Sequence, residues 1–96
     1  MDITEFRTKI DEVDDEIVRL FVKRMEICAE IADFKKEHGL PINVPSREQQ
    51  KLQDVSEKAG VDMEAYIRLL YGKVMELSRD YQITRILQSS TRQENI

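Results

Sequence analysis

The sequence predicts an all-α fold: three helices, the first very long, in a chain that packs against a second copy of itself. Three observations carry this. Apolar residues recur at alternating steps of three and four from Phe6 to Phe34, the seam of a helical bundle or coiled coil. Glycine- and proline-bearing segments at 39–45 and around Gly60 punctuate the chain between helical stretches. No stretch shows the strict alternation of a half-buried strand.

The first helix is expected over residues 5–37. Its seam runs Phe6, Ile10, Val13, Ile17, Leu20, Arg24, Ile27, Ile31 and Phe34, with Arg24 the polar member. Asp2 followed three residues later by Glu5 is a capping-box signal. His38-Gly39-Leu40-Pro41 supplies the stop, with Gly39 suited to the left-handed position and Pro41 just beyond it. At ~1.5 Å per residue such a helix spans about 50 Å. A compact chain of this length has a radius of gyration of only ~12–13 Å. The stripe must be covered by something else, and another copy of the chain is the economical solution.

Residues 39–45, Gly-Leu-Pro-Ile-Asn-Val-Pro, form a loop. Ser46 with Gln49 three on predicts the start of a second helix running to about Ala59 and closed by Gly60. Asp62 is the expected N-cap of a third helix to about Leu87, with Ile67, Leu70, Tyr71, Val74, Leu77 and Tyr81 as its apolar positions. The helical domain is thus expected over 1–88. The polar tail, 89–96, reads as disordered or as a linker.

Composition narrows the function. With 96 residues the chain is one domain with a modest core. The apolar fraction is 41% and the charged fraction 35%, so no run approaches the ~18 apolar residues of a membrane span. A net charge of −4 argues against broad nucleic-acid binding, and it makes a local gathering of cations more notable. The single Cys28 excludes an internal disulfide and fits a reducing cytoplasm. One Cys and one His cannot build an ordinary zinc site, and no cofactor motif is present, so neither metal nor cofactor is expected.

Arg24 and Lys35 lie eleven residues apart, about three full turns, so both project from one stripe with Cα atoms about 16 Å apart. Their long side chains leave room for one small, doubly charged molecule. A guanidinium on the seam is costly to bury unless an anion meets it; a salt bridge across a dimer is the plainer reading. Lys35 alone would be an ordinary helix-end cation. Arg7 lies seventeen residues before Arg24, about 25 Å away, and reaches the same ligand only from a second chain. Arg47-Glu48 opens the second helix, and Ser78 and Gln82 stand one turn apart on the third; each pair alone is commonplace. Cys28 reads as packing, because no His is placed to activate it, and His38 reads as a helix cap. With no nucleophile, phosphate loop or metal cluster, an enzyme built this way works by positioning and electrostatics.

These residues resemble a family. Phe6-Arg7-Thr8-Lys9-Ile10-Asp11-Glu12-Val13-Asp14, Lys23-Arg24-Met25, Ala32-Asp33-Phe34-Lys35 and Pro41-Ile42-Asn43-Val44-Pro45-Ser46-Arg47-Glu48 are similar to the all-helical (AroQ-class) chorismate mutases, over about 4–87. The resemblance implies an intertwined homodimer with two equivalent sites, and an isomerase that rearranges chorismate to prephenate on the route to phenylalanine and tyrosine. It implies that Arg24 and the other chain's Arg7 bind the two substrate carboxylates, with Arg47 and Ser78 in support. Lys35 and Gln82 would face the ether oxygen, and Glu48 would accept from the ring hydroxyl.

One position departs from the resemblance. Val44 stands where an Asp is expected, which raises the isochorismate–pyruvate lyases of the same fold as an alternative. Those lyases lack the counterparts of Glu48 and Ser78, and both are here, so the mutase reading leads. A helical dimerisation module without catalysis is the third reading. Arg24 weighs against it, because a pure dimer seam favours an apolar residue there.

Overall fold

The computed structural model describes residues 2–94. Helix α1 spans Ile3–His38, α2 Pro45–Ala59 and α3 Glu64–Glu94. Helices α1 and α2 each pack on α3. Among the described residues there is no strand and no helix long and apolar enough to cross a membrane.

The ends of α1 follow its sequence signals. Asp2 accepts from the Glu5 N–H at 2.9 Å, and the Asp2 N–H donates to the Glu5 carboxylate at 3.2 Å, closing the capping box. Gly39 takes the left-handed conformation, φ 64° and ψ 32°. The Leu40 N–H then reaches the Lys35 carbonyl at 2.8 Å and the Gly39 N–H the Lys36 carbonyl at 3.4 Å, the paired closing bonds of a Schellman motif. His38 stacks on Phe34 with ring centroids 4.0 Å apart, and its Nδ1 lies 2.9 Å from the Phe34 carbonyl, so it ends the helix as expected.

Two helix starts differ from expectation. The N-cap of α2 is Val44, not Ser46, and Pro45 is the first helical residue. Proline is preorganised for that place and has no N–H to leave unpaired, which moves the start two residues earlier than the Ser46 signal. Helix α3 begins at Glu64, and the Ile67 N–H bonds to the Met63 carbonyl at 2.9 Å, so the cap falls just after Asp62. At its other end α3 runs to Glu94, past the expected stop near Leu87. No glycine or proline lies between Gln88 and Glu94 to end it. The part of the expected tail over 89–94 therefore has helical backbone, and residues 95 and 96 lie outside the described residues.

The core of the single chain is small. Cys28, Ala29 and Ala32 of α1 and Met75 of α3 form it, and among the described residues no large side chain is fully buried. Small residues on α1 let the two helices approach closely. Asp33 of α1 accepts two hydrogen bonds from the Arg85 guanidinium of α3, at 3.2 and 3.1 Å. Those bonds hold the Asp33 carboxyl below the usual carboxylate range.

Much of the remaining apolar surface is uncovered. All eight apolar seam residues of α1 from Phe6 to Phe34 are 40–59% exposed. Leu70, Leu77 and Tyr81 of α3 are exposed as well. The radius of gyration is 17.3 Å with extents of 60 × 29 × 15 Å, against ~12–13 Å for a compact chain of this length. The accessible surface is 7710 Å², about 2000 Å² above the scaling for a compact monomer of this mass.

Candidate active site

Three helices and one loop converge on a cleft of about 200 Å³. Helix α1 lines it with Arg24, Cys28, Ile31 and Lys35. Helix α2 gives Arg47, Glu48 and Lys51, and helix α3 gives Met75, Ser78, Arg79 and Gln82. Ile42 and Val44 close the loop side. Five cationic side chains and one carboxylate thus face a single cleft in a chain whose net charge is −4. Such a concentration of positive charge between apolar walls attracts a small anion.

Arg24 and Lys35 share this wall, as their eleven-residue spacing requires. Arg24 is half-buried, and its Nη1 donates to Ser78 Oγ at 2.5 Å and lies 3.8 Å from Cys28 Sγ. Ser78 is buried, and its hydroxyl donates to the Val74 carbonyl at 2.8 Å. Donating into its own helix turns the oxygen lone pairs toward Arg24. Ser78 therefore aims the guanidinium, and Cys28 packs beside it.

Lys35 Nζ donates to the Ile42 carbonyl at 3.0 Å. The Schellman turn at Gly39 brings the chain back past Lys35, and this bond pins the loop as a wall of the cleft. An ammonium has three protons, so two remain for a ligand.

Val44 lines the cleft and caps α2 with φ −124° and ψ 87°, but its side chain offers the helix no hydrogen bond. The Arg47 and Glu48 N–H groups turn back to its carbonyl at 3.0 and 3.2 Å. An aspartate side chain at the N-cap adds an acceptor for first-turn N–H groups, which lack an i−4 carbonyl, and complements the helix dipole, worth about 1 kcal/mol. Val44→Asp is therefore expected to raise the thermal midpoint by several degrees, at ~4–8 °C per kcal/mol for a domain of this size. A melt with an unchanged or lowered midpoint would refute the capping geometry.

Gln82 is buried, 7% exposed, and its Oε1 has no hydrogen-bond partner. Leaving a buried acceptor unpaired costs about 1–3 kcal/mol, so the orphaned Oε1 of a residue lining the cleft marks Gln82 as a group kept for something other than the fold.

Glu48 is paired with Arg79 through a charge-assisted bond from Nη1 to Oε1. That bond raises the Arg79 guanidinium above the usual arginine value. Arg47 is exposed at the rim. Lys51 lies one turn on and is 3.7 Å from Asp54.

Six of the seven residues singled out from sequence thus meet here: Arg24, Lys35, Arg47, Glu48, Ser78 and Gln82. Arg7 does not. It is exposed on the N-terminal half of α1, and its helix carries it about 25 Å from Arg24. Sequence reasoning missed Lys51 and Arg79. Lys51 repeats Arg47 at i+4, and Arg79 lies three residues before Gln82; those spacings were the available signal. Among the described residues, no group of three or more His, Cys, Asp and Glu side chains could hold a metal ion.

The chain is similar to several known proteins. The T-protein of Haemophilus influenzae is 40% identical over 62 residues, which cover 62% of this chain and 16% of that protein. The bifunctional chorismate mutase/prephenate dehydratase of Aquifex aeolicus is 35% identical over 54 residues, covering 56% of this chain and 15% of that protein. The chain thus spans about a sixth of the length of these relatives. A chorismate mutase of Methanocaldococcus jannaschii is 31% identical over 70 residues, covering 70% of this chain and 71% of that protein. No solved structure gives a significant match. The family profile described as chorismate mutase type II matches residues 6–83, from the first seam residue of α1 to just past Gln82, and the chain belongs to that family.

Proposed function

We propose that this chain catalyses the rearrangement of chorismate to prephenate, working as an intertwined homodimer. The observation that carries the reading is the cleft itself: five cations and a buried glutamine with an unpaired Oε1 around a space for one small molecule. Chorismate is a dianion with an ether oxygen and a ring hydroxyl. Arg24, aimed by Ser78, takes one carboxylate, with Arg47 in support at the rim. Arg7 of the second chain takes the other. Lys35 and the Gln82 amide donate to the ether oxygen, where negative charge grows as the C–O bond breaks. Glu48 accepts from the ring hydroxyl and helps hold the folded, reactive conformer. The rearrangement needs no covalent intermediate, so catalysis consists of holding that conformer and stabilising the developing charge.

The uncovered seam supports the dimer. In a two-fold dimer both chains bury the wet halves of eight large apolar side chains, which gains on the order of 20 kcal/mol against roughly 4–15 kcal/mol for association. A second chain along α1 also offers a route by which Arg7 approaches the cleft.

Glu48 and Ser78 favour the mutase over the lyase reading, because both line the cleft. Incubation with chorismate and, separately, with isochorismate, following prephenate and pyruvate, tests the assignment. Prephenate from chorismate is the expected result. Pyruvate from isochorismate alone would replace the mutase with the lyase, and no product from either would leave a dimerisation module.

The amide role has its own test. Gln82→Glu donates only when its carboxyl is protonated, which near neutrality is rare for a group with reference pKa ~4.3. The variant is expected to turn over chorismate at acidic pH and fade toward neutrality, while the parent stays comparatively flat. Equal activity of the variant at both ends of a pH–rate profile would remove Gln82 from the ether oxygen.

A further inference from the structure

Glu48 poses an electrostatic problem. It is a carboxylate in a cleft whose other charged side chains are all cations, suited to a dianion. Unpaired, it would repel the ligand that the remaining side chains attract. Its partner is Arg79, half-buried on α3 in the residue directly after Ser78. Successive helical residues point about 100° apart, so the two diverge. Ser78 grips Arg24 of α1, while Arg79 grips Glu48 of α2. One turn of α3 thereby sets a site group from each of the other two helices, and Gln82 follows on the next turn.

The geometry points to Arg79 as a positioning residue: it fixes Glu48 for the substrate hydroxyl and neutralises the one carboxylate in a dianion site. Arg79 engages Oε1, which leaves Oε2 to accept from the hydroxyl. The pairing also fixes the side chain's torsions before substrate arrives, so ligand binding does not have to order it. This inference rests on the proposed chorismate reading. Arg79 acts through Glu48, so its removal should weaken the hold on substrate more than the chemical step.

Steady-state kinetics with chorismate test it on the full chain, with circular dichroism and a thermal melt for each variant. Arg79→Met is expected to raise KM about tenfold or more, because a charge-assisted contact and its counter-charge are lost together, with kcat within about threefold of the parent. Arg79→Lys should recover much of the loss, since it restores the charge without the planar fork. In the Glu48→Gln background, Arg79→Met should add little, and the double variant should have a lower KM than Arg79→Met alone because no naked carboxylate remains. A parent KM in well-folded Arg79→Met, even with a lowered thermal midpoint, would overturn the inference and leave the pair as a tie between α2 and α3. Losses that multiply in the double variant would overturn it too. A parent protein without chorismate turnover would overturn the functional reading and this inference with it, whereas a parent enzyme indifferent to Arg79 overturns the inference alone.

Discussion

Lys35→Ala is expected to lower chorismate turnover by about a hundredfold to a thousandfold while the helices stay folded. Removing one preorganised donor aimed at developing negative charge costs ~3–4 kcal/mol of transition-state stabilisation. The contact strengthens as the C–O bond breaks, so the loss belongs in kcat rather than in KM alone. Lys35 also holds the loop through the Ile42 carbonyl, a bond worth ~0.5–1.5 kcal/mol net. The thermal midpoint should therefore fall by a few degrees, far too little to explain a loss of that size at assay temperature. Near-parent turnover in a well-folded Lys35→Ala protein would sink the electrostatic role.

Much of this site was legible because helices convert spacing into geometry. Arg24 and Lys35 share a wall of the cleft because eleven residues make about three turns. Gly39 was readable as a left-handed cap, and that cap returns the loop across Lys35. The exposed seam was readable too, because alternating steps of three and four mark a face that needs covering whether or not its cover is present. Family resemblance supplied the roles, which spacing alone leaves open.

Other parts depend on packing between helices, which no local pattern encodes. The pairing of Arg79 with Glu48 joins residues 31 apart, so neither position announces the other. The contact of Ser78 with Arg24 joins residues 54 apart in the same way, with the Ser78 hydroxyl donating to the Val74 carbonyl. At the start of α2 two local signals competed, and Pro45 fixed the backbone more strongly than Ser46 could cap it. At the far end of α3, the polar composition after Gln88 suggested disorder, whereas the absence of any breaker permits the helix.

Mixing two inactive proteins is expected to restore activity, and the amount restored is fixed by symmetry. Arg7 is exposed and about 25 Å along α1 from Arg24, beyond the reach of its own chain's cleft. If it serves the second chain, Arg7→Ala and Lys35→Ala should each be weak alone, for different reasons: one lacks a carboxylate ligand, the other the donor to the ether oxygen. Unfolded together and refolded, they form mixed dimers in which one site receives both lesions and the other receives neither. Random pairing makes half the dimers mixed, and each has one intact site of two, so activity should approach about a quarter of the parent's. The readout is turnover per chain after co-refolding, against each variant refolded alone, with differently tagged chains to count mixed dimers. Recovery near a quarter would place Arg7 across the interface. Mixed dimers without recovery would remove Arg7 from the partner's site, and failure of the chains to pair at all would overturn the dimer and the shared site together.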